Sequence, residues 1–235
     1  MIRLRKRWAA MMAEHGSTCV VLLYTLHRVL QTLSGGRAAI VPYLLVAQPV
    51  GNPILARVND DADTVVERIG PGHPLLAASP RPAHVIAQRF ADGAECFAAT
   101  VKGQFAGHIW IARGRYVEDE VRCTYVINDP ARGVWDYDVY VEPRLRLGRT
   151  MGRLWKAVDE QLAAEGVRWS FSRINRFNAA SVKSHQRLGA VTVGRVTFVV
   201  LRPAQVTFGG GPPWIRPQRG AGRGAALRID SPTET

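Results

Sequence analysis

Residues 178–190 read N-A-A-S-V-K-S-H-Q-R-L-G-A. Asn178 is a good N-cap and Gly189 a good stop, so the stretch predicts a short helix with one ring, His185, inside it. Upstream, Met151, Leu154, Trp155, Val158 and Leu162 form one stripe of a helix from about Thr150 to Glu165. Lys156, Asp159 and Glu160 lie off that stripe, and Gly166 caps it. Val167–Ile174 reads as a strand between the two helices, and Ala190–Leu201 as another after the short one. With a strand over Val134–Val141, the order becomes strand, helix, strand, short helix, strand. That is the layout of a cofactor-binding half-domain.

Further upstream the chain keeps a β character. Val134–Val141 has a period of two, with Trp135, Tyr137, Val139 and Val141 on one face. Asp136, Asp138, Tyr140 and Glu142 take the other, and Pro143 ends the strand. Glu95–Ala112 reads as a hairpin turning near Lys102-Gly103-Gln104. Glu120–Ile127 is a further strand, followed by turn chemistry at 129–133. Ala38–Val50 is a strand with edge or bent character because of Pro42. Asp61–Ile69 and Pro82–Phe90 read as short helices, and 18–33 as a helix stopped by Gly35-Gly36. From Gly209 the Gly/Pro/Arg-rich tail is expected to be disordered. Three parts follow: a basic helical segment over 1–37, an α/β domain over 38–208 and a tail over 209–235.

The length of 235 residues, 47% of them hydrophobic, suits one α/β domain with appendages. Cys19, Cys96 and Cys123 are widely spaced and odd in number. They predict neither a disulfide framework nor a metal site, and a reducing, cytoplasmic setting. The net charge is +12, of which +5 falls in residues 1–37 and +2 in the tail. Aromatic interleaving is absent, so nucleic acid is not favoured. The apolar run Cys19–Leu26 is broken by His27 and Arg28, far short of the ~20 residues of a membrane span. This segment has two readings: a helix on the body of the fold, or a basic helix in peripheral contact with an anionic membrane.

From about Arg89 to Leu201 the chain resembles the GNAT acetyltransferase superfamily, which transfers acyl groups from coenzyme A. Members carry a strand, a loop of pattern R/Q-x-x-G-x-G/A and a long helix. A further strand follows, then a short helix beginning near an Asn, with a Tyr seven residues later. Here the loop from Arg146 reads R-L-G-R-T-M, with Arg149 and Met151 where glycines are expected. Gly148 and Gly152 stand one place off.

The resemblance implies a mixed, mostly antiparallel twisted sheet with helices on both faces and splayed strands forming a cofactor cleft. It implies acetyl-CoA or another acyl-CoA as donor, its pyrophosphate held by Arg146, Leu147, Gly148, Arg149, Thr150, Met151 and Gly152. Bare backbone N–H groups at a helix N-terminus favour such an anion, and the two arginines add charge-assisted bonds. Met151 narrows the approach. Val139 and Val141 would offer backbone N–H groups to the thioester carbonyl. Asn178, with Ser181 beside it, would meet the pantetheine arm. His185 stands at the position of the family's Tyr and would protonate the leaving thiolate. Asp138, mid-strand, is the first choice to take the proton of the amine, and Glu142 the second.

Each residue also has a plainer reading: a strand-to-helix turn with solvated arginines, a helix cap, a half-buried helical histidine, a solvent-facing strand. The implied activity is an N-acyltransferase, with direct attack of a small-molecule amine in a ternary complex. The altered loop leaves open a longer acyl chain or an acyl carrier protein as donor, whose acidic surface would suit the basic chain. It also leaves open a domain that binds without catalysis. The final strand could pair in a homodimer.

Overall fold

Glycine turns and β-branched runs divide the chain into short elements. The computed structural model describes residues 12, 17–146, 148–220, 222 and 224–233. The basic cluster Arg3–Arg7 and Leu147 lie outside them. In chain order the elements are α1 (Thr18–Leu33), β1 (Ala38–Pro49), β2 (Thr64–Ile69), α2 (Ala83–Ala91), β3 (Glu95–Val101) and β4 (Gln104–Arg113). Then come β5 (Arg115–Val117), β6 (Cys123–Ile127), β7 (Gly133–Val141), α3 (Thr150–Ala164), β8 (Trp169–Asn175) and α4 (Ala179–Arg187). β9 (Val191–Leu201), β10 (Ala204–Gly209), β11 (Ile215–Gln218) and β12 (Ala225–Ile229) complete the chain.

The chain forms two compact units. The first holds the described residues up to Val46, Val117–Val126 and everything from Arg173 onward; the second holds Ala47–Tyr116 and Ile127–Ser172. The strand order is β11-β10-β9-β1-β8 in the first unit and β1-β8-β7-β4-β3-β2 in the second, because the chain passes between units inside β1 and β8. The pairs β9–β10, β10–β11, β2–β3, β3–β4 and β4–β7 are antiparallel, and β7–β8 is parallel. The fold is therefore mixed α/β, with mostly antiparallel strands flanked by helices.

In the second unit, β2 extends the β3–β4 hairpin, and α2 with the turn at 74–78 covers one face of the three strands. Ile69, Ile86, Ala94, Cys96, Ala98 and Trp110 are buried together, with Leu75, Leu76, Phe90 and Tyr137 packed on them. Gly107 is required in β4, since a Cβ there would overlap the Tyr140 carbonyl oxygen of β7. In the first unit Tyr43 and Phe198 meet edge to face and are fully buried.

Three expectations are corrected. Residues 64–69 form strand β2, not a helix. Val65 and Val66 suit a pleated surface, and pairing with β3 from Thr64–Val101 to Ile69–Cys96 overrides the charged spacing. Pro42 is not at an edge: β1 lies between β9 and β8, and the Pro42 carbonyl accepts the Arg176 N–H at 2.9 Å. The tail carries strands β11 and β12. Leu227 and Ile229 are buried, and Arg216 donates to the carbonyls of Gly209, Gly211 and Pro212. Gly224 packs where a Cβ would overlap the Arg122 backbone, so the glycine there serves close approach rather than disorder.

Candidate active site

The site begins with one extra residue in β7. Tyr137 faces Trp110 and Tyr140 faces His108, so Ile109 of β4 opposes both Asp138 and Val139. This is a β-bulge, and Asp138 has φ +49°. An inserted residue reverses the side-chain alternation beyond it. Asp138 accordingly joins the face of Tyr137 rather than that of Asp136. The Arg89 guanidinium lies 5.1 Å from both the Trp110 and Tyr137 rings and bonds the Asp138 carboxylate. Asp136 faces the other way, accepting the Ser170 hydroxyl at 2.6 Å. The single acidic face expected for Asp136, Asp138 and Glu142 therefore does not form.

These environments separate the two aspartates. Burial would raise the Asp138 carboxyl, but Arg81, His108 and Arg89 outweigh it and hold the group well below the usual carboxylate range. Arg81 Nε donates to Asp138 at 2.7 Å, and His108 Nε2 stands 3.6 Å away. Asp138 is an anchored anion and a poor proton acceptor. Burial pushes Asp136 up to about 7, only partly offset by the Ser170 hydroxyl and its own backbone N–H. Glu142 is half-buried and accepts the Tyr140 hydroxyl at 3.2 Å.

Bulges bend a strand. The parallel ladder of β7 with β8 includes the pairs Gly133–Trp169, Val134–Ser170 and Trp135–Phe171, and β7 itself continues to Val141. Glu142 N–H donates to the Ala106 carbonyl at 2.9 Å, which makes Gly107–Val141 a non-hydrogen-bonded position. The Val141 N–H and carbonyl thus face away from β4, and Arg146 Nε donates to that carbonyl at 2.9 Å. The Arg146 guanidinium also lies 5.8 Å from the Tyr140 ring centre, so it braces the strand end.

Helix α3 starts at Thr150 with no side-chain cap from Arg149, leaving the N–H groups of its first turn as donors. Beside it is a cavity of about 380 Å³ lined by Arg57, Val58, Asn59, Gly148, Arg149 and Gly152. Met151 is exposed and is not among the lining residues, so it does not narrow this seat as expected. Thr150 is buried.

Arg57, Val58 and Asn59 were not legible from the loop pattern, since they lie far upstream. Their link to α3 is electrostatic. Arg153 donates to the Asn59 carbonyl at 3.2 Å and pairs with Asp61 at 3.0 Å, and Lys156 bonds Asp60 at 2.6 Å.

The remaining predicted residues belong to the other compact unit. The Asn178 side-chain oxygen accepts the Ser181 N–H at 3.0 Å, the expected cap of α4. His185 is half-buried, and burial lowers its pKa.

No protein-family model matches the sequence, and no curated protein does. The chain is similar in fold to solved structures of the GNAT superfamily. One is a tandem GNAT protein from the clavulanic acid biosynthesis pathway, with a TM-score of 0.49 and 17% identity, covering 76% of this chain and 57% of that one. A second is assigned as an acetyltransferase of the GNAT family from Novosphingobium aromaticivorans, with a TM-score of 0.46 and 17% identity over 69% and 65% of the two chains. The chain is also similar to a conserved protein of unknown function from Staphylococcus epidermidis, with a TM-score of 0.48 and 14% identity over 72% and 64%. The matched part spans less than two thirds of the length of each of these three proteins.

Proposed function

We propose that the chain is an acyl-CoA-dependent N-acyltransferase that moves an acyl group, acetyl in the first instance, onto an amine. The observation that carries this reading is the bulged end of β7, whose Val141 N–H is turned away from β4 in the same unit as the open start of α3. β7 stays paired with β4 through Val141, so that N–H is a fixed donor. A thioester carbonyl accepting that N–H would develop negative charge next to a fixed donor. The diphosphate of the donor would sit at the start of α3, where uncapped N–H groups, Arg57 and Arg149 surround a cavity.

The amine must lose a proton as it attacks. Glu142, half-buried and next to Val141 at the end of β7, is the carboxylate placed to accept it. Asp138 then shapes the strand through its arginine clamp, and the leaving thiolate takes its proton from solvent. The test is thiol release from acetyl-CoA with a panel of amines, beside isothermal titration with coenzyme A. Turnover that is lost in Glu142→Gln while coenzyme A binding stays supports the assignment. Coenzyme A binding without thiol release for any amine would leave a binding domain, and no coenzyme A binding at all would remove the reading.

A further inference from the structure

Helix α1 is apolar on two faces, and only one is covered. Val20 and Val21 are buried, the Tyr24 and His27 rings pack 5.3 and 5.4 Å from the Phe177 ring, and His27 Nδ1 accepts the Ile40 N–H at 3.1 Å. That side fixes the helix to its unit. On the opposite side Leu22, Leu26, Val29 and Leu33 are 56%, 49%, 47% and 81% exposed. With the exposed Cys19 they recur at alternating steps of three and four, one continuous stripe along the helix. The flanking Thr25 and Thr32 donate their hydroxyls to the carbonyls of Val21 and Arg28 within the same helix. Their methyl groups widen the stripe instead of breaking it. A soluble surface rarely leaves such a row uncovered.

We propose that this face of α1 docks on an anionic lipid surface. Charge selects the occupant. Residues 1–37 carry a net charge of +5 and the whole chain +12, which repels a second copy and attracts acidic headgroups. Area points the same way. Sixteen residues of helix measure about 24 Å, and one such stripe supplies only a fraction of the roughly 800 Å² per partner of a stable protein interface. A bilayer needs no matching partner surface: leucines enter the acyl boundary while nearby cations hold the headgroups. This inference is independent of the acyl-transfer reading.

The test uses the full chain with vesicles of phosphatidylcholine alone and of phosphatidylcholine mixed with phosphatidylserine, in a flotation assay. The chain is expected to float with the mixed vesicles only, and less at high salt. The triple variant Leu22→Gln, Leu26→Gln, Leu33→Gln is expected to lose binding by on the order of a hundredfold, with its circular dichroism unchanged because all three side chains are exposed. Cys19 is the exposed cysteine among the described residues, so an environment-sensitive fluorophore there is expected to shift to the blue with mixed vesicles. Absence of flotation at low salt overturns the proposal. So does equal flotation of the triple variant, which would assign binding to the cations alone. A concentration-dependent dimer that forms through Cys19 and vanishes in the variant would give the face to a second copy instead.

Discussion

Replacing Asp136 by asparagine isolates the cost of a buried carboxyl. Asp136 is 3% exposed, and burial lifts its pKa from an ordinary 3.8 to about 7. Below pH 4 the folded and unfolded chains both hold the proton, and the residue carries no charge penalty. Between about pH 4 and 7 the unfolded chain releases the proton while the native state keeps it. Native stability therefore falls as pH rises through this window. Above it the loss levels off at the full gap, about 4 kcal/mol at most. Asparagine has the same shape and can still accept the Ser170 hydroxyl, but it does not titrate. The variant should match the wild type closely near pH 4 and exceed it by up to about 4 kcal/mol near pH 8. Urea unfolding followed by circular dichroism at several pH values measures the difference. A difference that stays flat across that range would refute the reasoning, because the carboxyl would then titrate alike in both states.

Asp138→Asn keeps a residue tolerant of the left-handed backbone and removes only the charge. It leaves Arg89 buried without its anion, so a loss of about 3 kcal/mol in urea unfolding is expected. Arg57→Ala and Arg149→Ala should each weaken coenzyme A roughly tenfold by isothermal titration, with a smaller salt dependence than the wild type. Asn178→Ala should cost about 1 kcal/mol of stability and Asn178→Ser should recover most of it, since the side-chain oxygen caps α4. Thermal unfolding of the pair checks this.

Sequence periodicity located α3, α4, β3, β4 and β7 well because each has one dominant pattern: a helical stripe, a capped short helix, a strict alternation. It failed where contacts decide. Thr64–Ile69 becomes a strand only because β3 is there to pair with it. The tail folds because Leu227, Ile229 and Arg216 have partners distant in sequence, although its Gly/Pro/Arg content resembles a disordered segment. Within the site, the loop at Arg146–Gly152 was legible as a helix entrance, but Arg57 was not, since nothing in the residues around it announces an anion. The two aspartates of β7 were visible, but not that a bulge puts them on opposite faces. A single residue in the left-handed conformation reverses a strand's faces, and alternation alone does not reveal it.

The folded tail limits how far this chain can be shortened. A version trimmed at Gly209 to discard an apparently featureless end would strip β11 from β10, leaving a bare rim of amide and carbonyl groups along Ala204–Gly209. It would also remove β12 from its place beside β6. Such a rim recruits strands from other molecules. The trimmed chain would gather into aggregates for a reason its composition does not disclose.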